Sequence, residues 1–220
     1  RAQYGPDITL KGLLHGKVLR SPYAHARIKS IDTSEADDYP GVRAIITAQD
    51  LPFASLSKEE LGAGYQALKF ASDHVLAGGK VLFKGHPVAA VAAVSESVAK
   101  AAMKLIEVDY EVLPHVIDVV DAMAADAPLL NEEQFTKGID PAPDKPSNIA
   151  ARMVAKLGDV EAGFEAADLV IEREFNTKAA HQGYIEPHAS IGNYTEGGNA
   201  EVFTATQGHF MNRAQTAKVL

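Results

Sequence analysis

The period of the apolar positions changes several times along this chain, and each change marks an element. Leu13 to Arg20 and Ala26 to Asp32 are short extended runs separated by Ser21-Pro22-Tyr23, which predicts two strands. Ser34-Glu35-Ala36-Asp37 sets an N-cap residue three positions ahead of an acid, the start of a short helix that Pro40-Gly41 ends. Val42 to Thr47, β-branched and bounded by turn residues, predicts a third strand. Periodicity then fails. Gln49 to Tyr65, with Gly62 and Gly64, reads as a surface loop holding one turn of helix around Lys58 to Leu61.

Val88 to Val94 is apolar at every position, the pattern of a central strand covered on both faces, and Pro87 opens it where a missing N–H costs least. Its alanines predict close packing against a helix. That helix follows at once: Ser95 as N-cap, Glu96 in the first turn, and Val98, Ala101, Ala102 and Leu105 as the apolar stripe. Val108, Tyr110 and Val112 then alternate with Glu107, Asp109 and Glu111, which predicts a half-buried strand.

Between Asp121 and Asn148 the pattern dissolves into a stretch with Pro128, Pro141, Pro143 and Pro146, the composition of a linker or domain boundary. The resulting division is residues 1–121, a linker over 122–157, and 158–220. Asp159 to Ala167 reads as a short helix and Asp168 to Asn176 as a strand. Ala189 to Thr195 and Ala200 to Gln207 form a predicted hairpin across Glu196-Gly197-Gly198-Asn199. Gln207 ends that hairpin with an uncharged amide, Gly208 permits a sharp turn or a close approach, and Phe210, Ala214, Ala217 and Leu220 follow at helical spacing. The mixture of elements makes the fold class α+β.

Composition narrows the chemistry. Of 220 residues, 46% are hydrophobic and 23% charged, so the chain is globular. A formal charge of −8 without basic runs lacks the footprint of a nucleic-acid binder. The absence of cysteine excludes disulfides, thiolate metal sites, iron–sulfur ligation and a cysteine nucleophile within these residues. The longest apolar run is far too short for a bilayer span, and no signal peptide is visible, so a cytoplasmic location is expected.

The candidate motifs are sparse. Ala77-Gly78-Gly79-Lys80 has the wrong glycine spacing for a phosphate loop, with Val81 where a hydroxyl should stand, and reads as a turn. Eight histidines, His15, His25, His74, His86, His115, His181, His188 and His209, include no i, i+4 pair, so no metal site is predicted. Glu186-Pro187-His188 reads as a capped turn ahead of a strand rather than an acid–base pair. Taken alone, Gln207 reads as a solvated amide at a strand end.

A family resemblance adds to this reading. Leu13 to Ile28, Pro40-Gly41-Val42, Gly85-His86-Pro87-Val88-Ala89 and Val108 to Pro114 together resemble the a/b hammerhead domain of the xanthine dehydrogenase and aldehyde oxidase family, the molybdenum hydroxylases. His181 to His188, Ala189-Ser190-Ile191 and Thr206-Gln207-Gly208-His209-Phe210 resemble the opening of that family's molybdopterin-binding domain. The resemblance implies an oxidoreductase in which a pterin-held molybdenum hydroxylates an electron-poor carbon, with iron–sulfur and FAD centres on partner domains or subunits. It implies that Gln207 and Gly208, with His209 and Phe210 beside them, are cofactor-binding. No catalytic residue and no metal ligand is expected within these 220 residues, because the family's Phe-Gly loop and base glutamate have no counterpart in them. A second reading is a non-catalytic assembly module that docks partner subunits.

Overall fold

The computed structural model of the chain describes residues 4–56, 59, 65–186 and 188–220. Two compact units divide it: Arg1–Ile117 with His188–Leu220, and Asp118–Pro187.

The first unit is built on two three-stranded antiparallel sheets. Strands β1 (His15–Arg20), β2 (Ala26–Asp32) and β3 (Val42–Thr47) arise where the sequence predicts them, with helix α1 (Ser34–Asp37) between the last two. Helix α2 (Tyr65–Val75) and strand β4 (Lys80–Val81) precede β5 (Pro87–Ala93), α3 (Glu96–Met103) and β6 (Glu107–Val112). One sheet runs β1-β5-β3 and the other β4-β2-β6. As its unbroken apolar run requires, β5 is the middle strand, pairing Val91 with Lys17 on one side and Ile45 on the other.

Small side chains make the close packing possible. Ala89, Val91 and Ala93 of β5 meet Ala99 and Ala102 of α3, with Ala36 and Ile106 completing the cluster. Ser95 caps α3, its Oγ accepting from the Val98 N–H at 3.3 Å. A second cluster joins Val88 on β5 to Ala26, Ala77 and Val81, with Tyr110 and Val108 of β6 half-buried against it. The alternation of β6 turns its acids outward and Val108 and Tyr110 in, while Val112 at its end is exposed. Helix α2 has no counterpart among the predicted elements. Its only signal is the spacing of Leu68, Ser72 and Val75, which a polar serine breaks.

In the second unit, Asp118 caps α4 (Val119–Ala122) through N–H bonds from Val120 and Asp121 at 2.8 and 3.2 Å. The Asn148 amide then knits the following loop together. Its Oδ1 accepts from the Leu130 N–H at 3.0 Å, and its Nδ2 donates to the carbonyls of Ala122 and Pro128 at 3.1 and 3.0 Å. Asp159 caps α5 (Val160–Glu165) in the same manner as Asp118. The strand expected over Asp168 to Asn176 is not formed. These residues have no partner strand among the described residues, and a lone strand leaves its N–H and C=O groups to water.

Strands β7 (Ser190–Tyr194) and β8 (Ala200–Thr204) pair in register, Ser190 opposite Thr204, and return the chain to the first unit. The Thr195 N–H bonds the Asn199 carbonyl at 2.9 Å, and Gly198 takes a φ of +80° that suits its lack of a Cβ. Helix α6 (His209–Val219) follows and packs against α2. Most of the expected helix turn around Lys58 to Leu61, and Pro187 of the Glu186-Pro187-His188 turn, lie outside the described residues.

Candidate functional site

The site predicted from sequence begins where β8 stops. The strand closes at Thr204, three residues earlier than its pattern suggests, so Gln207 stands in a bend and not on a pleated face. Thr206 causes the bend: its Oγ1 accepts from the Gly208 N–H at 3.0 Å, a local bond that competes with continuing the ladder. Behind it, the Ser190 and Thr204 hydroxyls bond across the hairpin at 2.7 Å and hold the strand end. Gln207 is exposed, and its carboxamide has no hydrogen-bond partner among the described residues.

Gly208 is the N-cap of α6 with φ −140°, a conformation open to any residue. A Cβ built there would lie 3.4 Å from the Met211 Cε, ordinary contact, so the fold itself does not demand glycine at this position. No side chain caps the helix. The amides of its first turn, next to the Gln207 carboxamide in the chain, are therefore neutral donors. His209 and Phe210 are both exposed, their rings 6.4 Å apart.

Helix α6 carries the residues that stand at helical spacing on its outer side. Phe210, Ala214, Ala217 and Leu220 form the outward stripe, while Asn212, Thr216 and Val219 are the half-buried residues. Helix α6 packs against α2, and helical spacing alone cannot say which way a stripe points.

The donor set fits a cofactor gripped through its oxygen atoms by hydrogen bonds. Carboxamide and backbone N–H groups donate without adding charge, and they suit oxo and phosphate oxygens. Among the described residues no three His, Asp or Glu side chains stand together as a metal site. The Ala77-Gly78-Gly79-Lys80 stretch is a turn into β4, the Gly79 carbonyl accepting from the Ile28 N–H at 2.9 Å. His181 folds locally, its Nδ1 accepting from the Gly183 N–H at 3.0 Å.

Two histidines that sequence spacing does not single out are set deep in the first unit. His86 is fully buried with both ring nitrogens bonded, and His25 is 5% exposed with Nδ1 donating to the Pro114 carbonyl at 2.8 Å. The His25 Nε2 has no partner among the described residues. The one signal for His86 is its setting in Gly85-His86-Pro87, ahead of the most apolar strand.

Comparison with known proteins agrees with this architecture. Residues 1–114 match the family model described as "Aldehyde oxidase and xanthine dehydrogenase, a/b hammerhead domain", and residues 142–220 match "Molybdopterin cofactor-binding domain". The chain is 40% identical to the carbon monoxide dehydrogenase large chain of Afipia carboxidovorans, over 84% of its own length and 22% of the relative's. It is 31% identical to a probable xanthine dehydrogenase subunit of Bacillus subtilis, over 99% of this chain and 26% of that one. Among solved structures, the aldehyde oxidoreductase from Desulfovibrio gigas superposes with a TM-score of 0.78 at 26% identity, covering 99% of this chain and 23% of the other. The chain thus spans about a quarter of the length of these relatives. Its two-sheet unit, with the hairpin and helix that follow, belongs to the aldehyde oxidase and xanthine dehydrogenase family.

Proposed function

We propose that this chain is part of the molybdopterin-binding subunit of a molybdenum hydroxylase, with Gln207 and Gly208 contributing to the cofactor site and His209 and Phe210 beside it. The observation that carries the reading is the unpartnered Gln207 carboxamide, exposed at a bend ahead of an uncapped helix, inside the stretch that matches a cofactor-binding family model. When bound, the pterin-held molybdenum supplies the two-electron redox chemistry. The chain's own part is to donate. A neutral amide offers an N–H to an oxygen whose negative charge grows during reaction, and it does so without the repulsion a carboxylate would bring. Gly208 meets only ordinary contacts around its backbone, which in this reading leaves the cofactor room to approach it.

The substrate class in this reading is an aldehyde, an N-heterocycle, an aromatic thioester or carbon monoxide, and electrons leave through iron–sulfur and FAD centres on partner domains or subunits. The 220 residues alone are expected to be inactive. The division proposed with it is residues 1–121 as hammerhead, 122–157 as linker and 158–220 as the start of the cofactor domain. No helix among the described residues is long and apolar enough to cross a membrane, and a cytoplasmic location goes with the proposal.

The test is Gln207→Ala in the enzyme from its natural host, with molybdenum content and steady-state kinetics measured on one sample. Loss of a donor made for the transition state lowers kcat about ten- to a hundredfold, or about 1.5–3 kcal/mol, with KM little changed. Unchanged kcat at full molybdenum loading removes Gln207 from the site. It would favour the assembly-module reading, which pull-down of partner subunits would then address.

A further inference from the structure

His86 sits where three elements meet, and its hydrogen bonds admit one protonation state. The Leu82 N–H, just beyond β4, donates to His86 Nδ1 at 3.1 Å. A backbone N–H can only donate, so Nδ1 is bare. On the other side His86 Nε2 lies 2.6 Å from the Asp73 carbonyl in the last turn of α2, which can only accept, so Nε2 carries the proton. The ring has no exposed surface and stacks on Phe83 at 4.4 Å between centroids. Its backbone is tied as firmly. The Ser21 N–H bonds the His86 carbonyl and the Gly85 N–H bonds the Ser21 carbonyl, both at 2.9 Å, while Gly85 itself holds a φ of +90°.

We propose that His86 is a proton-operated latch for α2: the neutral imidazole fastens the last turn of that helix to the turn leading into β5, and uptake of a second ring proton releases it. A proton on Nδ1 would face the Leu82 N–H, donor against donor, inside a site closed to water. The ring can escape that conflict only by leaving, and leaving breaks the bond to the Asp73 carbonyl.

The neighbouring charges do not relieve the conflict. From α2, His74 stands 6.0 Å from the ring and opposes a second positive charge. The Asp73 carboxylate favours one, but it is engaged by Lys69 at 2.9 Å. From the β1 end, the Arg20 guanidinium donates to the Gly85 carbonyl at 2.9 Å. Lys80 and Lys84 are the cations of β4 and of the turn after it, and β5 brings none. Burial is the largest influence and holds the His86 pKa below the ordinary histidine value of 6.5, partly offset by its bond to Asp73. A depressed histidine pKa gives a latch fully closed above about pH 6.5. It weakens as pH falls toward the pKa in the folded chain, by at most about tenfold per pH unit for a single proton.

Because α2 packs against α6, opening the latch also withdraws a support from the helix that follows Gln207. The latch itself is independent of whether that site holds a cofactor.

The test reads the 220-residue chain directly. Histidine-selective ¹⁵N NMR should find His86 protonated at Nε2 only at pH 7.5. Amide exchange, corrected for its intrinsic pH dependence, should show protection of α2 falling by up to about fivefold between pH 6.5 and 5.5 while central β5 amides hold. In His86→Gln the carboxamide can still accept from Leu82 and donate to Asp73 but cannot titrate, so the pH dependence of α2 should vanish. His74→Gln should leave it in place. A proton on Nδ1 at neutral pH, or acid-labile α2 protection that survives in His86→Gln, overturns the latch. If that variant fails to fold, the tautomer and exchange data on the parent chain decide.

Discussion

Strand β5 and the segment from Leu169 to Phe175 are both rich in apolar residues, yet they meet opposite fates. In β5, Val88, Ala89, Val91 and Ala93 are at most 1% exposed, flanked by β1 and β3 and covered by α3. In the second segment Leu169, Ile171 and Phe175 are 74%, 68% and 84% exposed, with no strand beside them among the described residues. The difference lies in neighbours and not in hydrophobicity. Every element that covers β5 lies within about 80 residues of it in the chain, from β1 at His15 to β6 at Val112. No comparable partner for Leu169 to Phe175 occurs among the described residues. An exposed apolar stretch of this kind marks a surface that association would cover.

Substitution should break that symmetry of composition most sharply. Val91→Asp places an uncompensated charge in the core of the first unit and should cost about 3–5 kcal/mol, much of a typical domain's stability. Phe175→Asp should change stability by less than about 0.5 kcal/mol. Chemical denaturation of both variants checks the contrast, and equal effects would mean the two segments are equally buried in solution. Next in size is Asn148→Ala, which removes the bond from the Leu130 N–H and the bonds to the Ala122 and Pro128 carbonyls. It should cost about 1–2 kcal/mol locally, seen as faster exchange of the Leu130 amide with β5 unaffected. Ser95→Ala removes the α3 cap and should cost about 1 kcal/mol, lowering Tm by a few degrees.

The smallest effect concerns Glu96, an exposed carboxylate held 2.9 Å from both Lys100 and Lys17. The hydrogen bonds from Lys100 and then Lys17 hold its pKa down to about 2, so its contribution is complete above the ordinary value of 4.5 and fades as pH falls toward 2. In Lys100→Ala the Glu96 carboxyl should titrate closer to 4.5, which NMR detects even though global stability barely moves. Limited proteolysis sharpens the proposed division: cleavage should come within residues 122–157 before any cut in β5.

What can be read in the sequence follows the same logic. β5, α3 and β6 are legible because each matches its period with its burial, and Ser95 announces the helix in one residue. The Leu169 run has the composition of a strand, but pairing is a property of two segments and no single stretch encodes it. Gln207 is legible as a candidate only through family resemblance. Its bend depends on the Thr206 hydroxyl capturing the Gly208 N–H, which alternation cannot reveal. His86 carries no spacing signal at all, since its two backbone partners come from positions 4 and 13 residues away.

The return of His188–Leu220 to the first unit has a consequence in time. Seventy residues, 118 to 187, separate the two stretches that make up that unit. At a synthesis rate of about 5–20 residues per second, the two sheets leave the ribosome roughly 4–14 seconds before the hairpin that leads to Gln207. The β5 core can therefore form first and serve as a finished platform, on which the last segment docks after closing a loop whose entropic cost grows only with the logarithm of its length.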